Sequence, residues 1–340
     1  MSNFDEFLLT LDPRIAKTFK TAKETDNELL PLASRGLTED LNGGIGKGRM
    51  ALVYGNTSAG KSALLMQSLG MWQEMGQVCI YADVEGTWDN AWAESLGVDT
   101  SKVILVQERS VSKIYNKVRP LLEAGADALI IDSISMILSD AFIDDDGHGK
   151  DLEKQIQMGA QSKAIARMTN ALHYSNERTA IALISQTTTE IGQTYTKQVP
   201  TGGKKPMFAS SQIIKLTSSN TDAKQIKGKV HVGNKIIEVP IGRKVDTVVE
   251  KNKLGPQGGA SSYDFYYRGD YVGVDHIGEA IDEAVKFGVI TKGGAWFNKG
   301  EMKFQGRDNV VTHYRSCPDD LDELVREVKE FKNGSIRQDA

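Results

Sequence analysis

ALVYGNTSAGKSALLM, residues 51–66, sets an apolar strand-like run, a glycine-bounded polar loop and the start of a helix-period run in direct succession. GNTSAGKS (55–62) fits G-x-x-x-x-G-K-[ST] with a strand directly before it and a helix directly after, the context the motif requires. Gly55 and Gly60 are expected to let the backbone turn tightly. The amides of Gly55, Asn56, Thr57, Ser58, Ala59, Gly60, Lys61, Ser62 and Ala63 then converge on phosphate oxygens at a helix N-terminus. In that frame Lys61 neutralises the β- and γ-phosphates of ATP, and Ser62 ligates Mg²⁺. The plain alternative is a chance glycine-rich turn, and the strand and helix in register argue against it.

Working outward, short β-rich runs occur at ALVY (51–54), VCIY (78–81), VILV (103–106), ALII (128–131) and AIALI (180–184). Helix-period stretches separate them, at 62–75, 88–96, 111–124 and 156–175. Strands alternating with helices predict an α/β fold with a mostly parallel central sheet and helices on both faces. After residue 210 the runs QIIKLT, KVHV, KIIEV, VDTVV and YDFYY follow one another across short turns, which predicts an antiparallel extension at one sheet edge. From about 276 helices return around GVITKGGAWFNKGEMKFQG, and PDDLDELVREVKEF puts Leu321, Leu324, Val325, Val328 and Phe331 on one face. The expected organisation is an N-terminal oligomerisation segment (1–34) with a short helix or two, a core (35–275) and a small C-terminal α/β domain (276–340).

Composition narrows the class. With 340 residues at 40% hydrophobic and 25% charged, the chain reads as an ordinary globular protein. No apolar run approaches the ~18 residues of a membrane span, and MSNFDEFLLT has no basic n-region. Two cysteines give no disulfide framework, so a cytoplasmic setting is expected. A net charge of −4 requires any nucleic-acid contact to use a local basic patch.

Three strand ends carry polar groups beside the loop. Asp132 closes ALIID, where a carboxylate can hold the metal's water shell. YADVEG (81–86) offers two acids, Asp83 and Glu85, either of which could orient the attacking water. SQ (185–186) places Gln186 where an amide can sense a γ-phosphate. TTTEIGQTYTKQVPTGGKKP (187–206) then follows, with almost nothing to bury. Structureless loops beyond about 12–15 residues are usually functional or disordered. Lys197, Lys204 and Lys205 against Glu190, with Tyr195, Gly202 and Gly203, suit phosphates and bases. Such a loop can stay disordered until a partner orders it.

These residues together resemble the RecA family of bacterial and phage DNA recombinases, from about residue 33 to 330. The landmarks come in order: GLTEDLNGGIGKGRMALVYGNTSAGKS, DVEGTWDNAWAESLGVD, ALIIDS, ISQ, TGGK, VEKNKLGP and ITKGGAWFNKGE. The resemblance implies a RecA-like ATPase core, ATP with Mg²⁺, and a helical filament on single-stranded DNA that pairs with double-stranded DNA for strand exchange. It implies Glu85 as the catalytic acid, Asp89 and Trp92 as the adenine contacts, and Gln186 as the γ-phosphate sensor. It implies Lys251 and Lys253 of KNK as cations acting in trans on a neighbour's ATP. Two DNA-binding loops are implied, at 146–163 with Met158, Gly159 and Lys163, and at 187–206 with Thr194, Tyr195, Lys197, Gly202, Gly203 and Lys204. Phe208 matches an interface aromatic.

The chain departs from the family at Lys163, where arginine is usual, and in a second loop about one residue shorter. Its tail, NGSIRQDA, lacks the strongly acidic end. Divergence of this kind suits a phage-encoded member. A single-strand-binding or loader protein is a compatible partner; a membrane is not. Two rivals use the same core. A ring helicase would be expected to carry an arginine finger at KNK and an N-terminal domain longer than about 34 residues. A non-exchanging accessory ATPase would show slow hydrolysis indifferent to DNA.

Overall fold

In the computed structural model, which describes residues 28–142, 159–191, 196–218, 221–232 and 235–336 with Phe7, Thr10 and Asp12, the apolar runs line up as neighbours in one sheet. The strands are β1 (Leu29–Leu30), β2 (Ile45–Gly46), β3 (Met50–Gly55), β4 (Cys79–Asp83), β5 (Val103–Val106), β6 (Ala128–Asp132), β7 (Ala180–Ile191) and β8 (Thr196–Pro200), then β9 (Gln212–Thr217), β10 (Gln225–Val232), β11 (Lys235–Asn252), β12 (Ala260–Tyr266), β13 (Gly273–Val274), β14 (Thr291–Gly293), β15 (Trp296–Lys299) and β16 (Met302–Gln305). The helices are α1 (Arg35–Asp40), α2 (Lys61–Glu74), α3 (Asn90–Ser95), α4 (Val111–Glu123), α5 (Ala160–Ser175), α6 (Lys204–Ala209), α7 (His276–Lys286), α8 (Arg307–Ser316) and α9 (Pro318–Ile336).

The main sheet runs β13-β12-β11-β9-β3-β7-β6-β4-β5. The six strands from β9 to β5 are parallel, and β11, β12 and β13 add antiparallel at the far side. Successive residues of a strand face opposite sides, and here both sides are buried. Ala51, Val53, Ala128, Ile130, Ala182 and Ile184 meet Leu64, Leu65 and Trp72 of α2. Their neighbours Leu52, Tyr54, Leu129, Ile131, Ile181 and Leu183 meet Ile114, Val118 and Leu122 of α4 and Ile165, Met168 and Leu172 of α5. Strands buried on both faces read as continuous apolar runs, which is why four of the five sequence runs were visible; the fifth, VILV of β5, is an apolar edge with Ile104 and Leu105 exposed.

Three details differ from expectation. QIIKLT (β9) lies parallel beside β3, so the antiparallel part begins one strand later. KIIEV and VDTVV are one strand, β11, with a register shift between Val249 and Lys251. The segment 187–206 is not structureless among the described residues: β7 continues to Ile191 and pairs antiparallel with β8, from Thr187↔Pro200 to Ile191↔Thr196. Met158, Thr194, Tyr195, residues 146–157 of the first implied loop and the side chain of Lys197 lie outside the described residues, as do residues 1–27 apart from the three named.

Leu30, Leu32 and Ala33, on the N-terminal side of residue 34, are packed into the main core. The C-terminal lobe has a core of its own, with Ile277, Ile281, Phe297, Val310, Tyr314, Leu324 and Val328. It is fastened to the main body by Glu279 of α7. That carboxylate accepts from Ser34 Oγ at 2.7 Å and from the amides of Arg35 and Gly36 at 3.1 and 3.3 Å. It thereby satisfies the first amides of α1, which would otherwise lack partners. Among the described residues no helix is long and apolar enough to cross a membrane.

Candidate functional site

Parallel pairing brings four strand ends to one level. Gly55 of β3 sits opposite Gln186 of β7, and Asp83 of β4 opposite Asp132 of β6. Ligands of open α/β sheets bind outside the carboxyl ends of the strands, and every candidate site residue near the 55–62 loop is there.

The loop after β3 leads directly into α2, whose N-cap is Gly60 at φ 90°. Gly60 supplies the left-handed turn that the motif was expected to need. Gly55 is required for another reason: a Cβ there would lie 2.1 Å from the Leu216 carbonyl oxygen of β9. Asn56 ties the loop to β9 as well, donating from Nδ2 to Ser218 O at 2.9 Å. Lys61 is buried and folds back across the loop, donating to the carbonyls of Gly55 and Asn56 at 3.0 Å each. Burial lowers its pKa, while Asp132 and Glu85 oppose that shift. Ser62 hydrogen-bonds to the buried Asp132, which also accepts from Tyr81 Oη at 2.7 Å. Burial pushes the Asp132 carboxyl up, and those two donors pull it back. A helix N-terminus, a sealed lysine and a paired serine and aspartate fit a nucleoside triphosphate with Mg²⁺.

The two acids of YADVEG part company. Asp83 is buried and spends its oxygens locally, accepting from the amides of Gly86, Thr87 and Trp88 at 2.9–3.1 Å and from Gln107 Nε2 at 3.1 Å. Glu85 instead faces the strand ends. Its Oε1 accepts from Ser133 Oγ at 2.6 Å and from Gln186 Nε2 at 3.4 Å.

Gln186 joins this cluster to the 187–206 hairpin. Its amide donates to Ser135 Oγ at 2.9 Å, and its carbonyl accepts from Thr201 N at 2.8 Å and Thr201 Oγ1 at 3.0 Å. Gly202 follows at φ 104°, against Ile165 of α5 and Ile134. Gly203 caps α6, and Lys204 and Lys205 open that helix exposed. Gly159, at φ 79°, caps α5, with Lys163 exposed one turn on.

Residues 16–269 match the family model described as the RecA N-terminal domain, and 278–333 match that of the RecA C-terminal domain. The chain belongs to the RecA family. It is 31% identical to Protein RecA of Sulfurovum sp. over 315 residues, which cover 90% of this chain and 85% of that protein. Protein RecA of Rhizobium etli is 32% identical, covering 89% and 78%. Protein RecA of Thermus aquaticus is 30% identical, covering 89% and 85%. RecA-type recombination is accordingly the function of this family member.

The remaining RecA-implied residues stand as follows. Asp89 is exposed and N-caps α3 by accepting from Trp92 N at 2.7 Å. Trp92 is partly buried, edge-on to Phe265 with ring centroids 6.5 Å apart, so core packing already explains its size. Lys251 lies beside α6 and donates to the carbonyls of Met207, Phe208 and Ser210 at 2.9, 3.4 and 2.5 Å. Burial, with Lys253 adding to it, lowers its pKa. Lys253 and Phe208 are exposed.

Sequence reading missed Ser133, Ser135, Tyr81 and Thr201. A signal existed for two of them, because DSIS places two hydroxyls directly after an apolar strand that ends at the site.

Proposed function

We propose that this RecA-type recombinase is a DNA-stimulated ATPase that works as a helical filament on single-stranded DNA, with ATP bound where subunits meet. The reading rests above all on Gln186. One residue contacts the candidate catalytic acid, Glu85, through its side chain and the base of the 187–206 hairpin through its carbonyl. Mg²⁺, held through Ser62 and Asp132, would offset the charge on the phosphate oxygens. Lys61 leaves the Gly55 and Asn56 carbonyls for those oxygens. Glu85 orients the attacking water, and Ser133 fixes the carboxylate's direction.

Assembly completes the site. Edge strand β5 leaves Ile104 and Leu105 exposed, and an unpaired strand edge is a template for another chain. Lys251 gives up its carbonyl contacts by α6 to reach a neighbour's phosphates, acting with Lys253 as an arginine finger does. The hairpin and α6, with Lys197, Lys204 and Lys205, and the N-terminus of α5, with Lys163, hold the DNA backbone and leave its bases free to pair.

The test is ATP hydrolysis with and without single-stranded DNA, for the wild type, Glu85→Gln and the double variant Lys251→Ala/Lys253→Ala. Strong stimulation by DNA, lost in both variants, is the expected result. Hydrolysis indifferent to DNA would overturn the DNA reading of 187–206 and favour the accessory ATPase.

A further inference from the structure

We propose that the junction of α8 and α9 in the C-terminal lobe is a divalent transition-metal site of the Zn²⁺ class, built from His313, Cys317 and Asp320. Helix α8 ends at Ser316, and Pro318 opens α9 at the position proline favours. Cys317 sits between them, with its amide bonded to His313 O at 3.0 Å and its carbonyl accepting from Leu321 N at 3.2 Å. The two helix ends therefore wrap around this cysteine, and residues four before and three after it come round to the same side.

The three donor atoms, one nitrogen, one sulfur and one oxygen, lie within 4.8 Å of one another. Bonds of about 2.0–2.3 Å hold tetrahedral ligands roughly 3.4–3.7 Å apart, so side-chain rotation alone can close the set. A histidine–aspartate ion pair is the simplest alternative. It accounts for Nε2 of His313 lying 2.9 Å from Asp320 Oδ2. It does not account for that nitrogen being buried without a hydrogen bond, which means the two atoms are not aimed at each other. Nor does it account for the thiol beside them.

The imidazole is held in place by Phe304 and Tyr314, at ring-centroid distances of 5.0 and 5.1 Å. A mixed imidazole, thiolate and carboxylate set selects Zn²⁺ or Co²⁺ over Mg²⁺ and Ca²⁺, which take oxygen ligands. Three protein ligands leave the fourth position to water. The ion would staple α8 to α9 across the lobe's small core.

The full chain, stripped with a chelator, is titrated with Zn²⁺ alone and then with Co²⁺, in excess Mg²⁺ so that the nucleotide site is occupied by the harder ion. One equivalent of Zn²⁺, a cobalt spectrum with a thiolate charge-transfer band, and Zn²⁺ protection of Cys317 from alkylation are expected. Cys79, buried in the main core, is the internal control for alkylation. Cys317→Ser and His313→Ala should each weaken binding at least about tenfold. Absence of the thiolate band in the wild type, or Zn²⁺ affinity unchanged in both variants, overturns the site; the wild-type spectrum decides even if a variant fails to fold.

Discussion

Asp83 and Glu85 are two residues apart and chemically near-identical, yet their surroundings assign them different work. Asp83 accepts three hydrogen bonds from the turn that follows β4 and a fourth from the Gln107 side chain beyond β5. Removing its charge leaves buried donors short of a partner, which costs about 1–3 kcal/mol. Asp83→Asn is therefore expected to lower the midpoint of denaturant unfolding while leaving hydrolysis per folded molecule nearly intact. Glu85→Gln should do the reverse, with unchanged unfolding and a hydrolysis rate lower by about 10²–10⁴-fold. Equal stability losses in the two variants would refute that division. From the residues themselves the two acids were indistinguishable, and only the family resemblance favoured Glu85, because what separates them is direction. Lys61, Ser62 and Asp132 were legible, since the loop motif and an apolar strand ending in aspartate are local patterns.

At the scale of elements, β7 carries the argument. Its first half is apolar and was read as a strand; its second half, TTTEI, pairs with TKQVP in a largely polar hairpin. A polar two-stranded ladder is held by backbone hydrogen bonds and gives no apolar alternation to read, so the hairpin looked like a loop. The contact that anchors its base is Thr201 on the Gln186 carbonyl. Thr201→Val keeps the backbone bond and the side-chain volume but removes the hydroxyl donor. Basal hydrolysis should stay the same, and stimulation by single-stranded DNA should fall by up to about tenfold, the equivalent of one hydrogen bond at about 1.4 kcal/mol. Stimulation equal to that of the wild type would show that the anchor does not transmit.

Over the whole molecule, the contact between Glu279 and the start of α1 spans 245 residues of sequence, so no local pattern announces it. Burial pushes the Glu279 carboxyl from an ordinary 4.5 up to about 7, despite the pull of Ser34, the Arg35 and Gly36 amides and the Arg35 charge. A carboxyl with a raised folded pKa contributes most when protonated. Its contribution is whole below the unfolded value and falls away as pH rises through about 7. The ceiling is roughly 3 kcal/mol, at about 1.4 kcal/mol per unit. Between pH 5 and 8 the wild type should lose stability relative to Glu279→Gln, which titrates nothing at that position; parallel melting curves would exclude the effect. The fold itself was legible at this scale because four buried strands and one apolar edge strand left apolar signatures. The joining of the lobe to the body was not.

The strand β7 runs unbroken from the interior of the sheet, past Gln186, to the hairpin. No break in the strand lies between Gln186, proposed to face phosphate, and the end proposed to face DNA. On the proposed mechanism, a push on Gln186 would swing the hairpin, as the hand on a tiller moves the rudder without a linkage to slip. Signalling of that kind would need no segment to fold or unfold. It would need a rod to tilt.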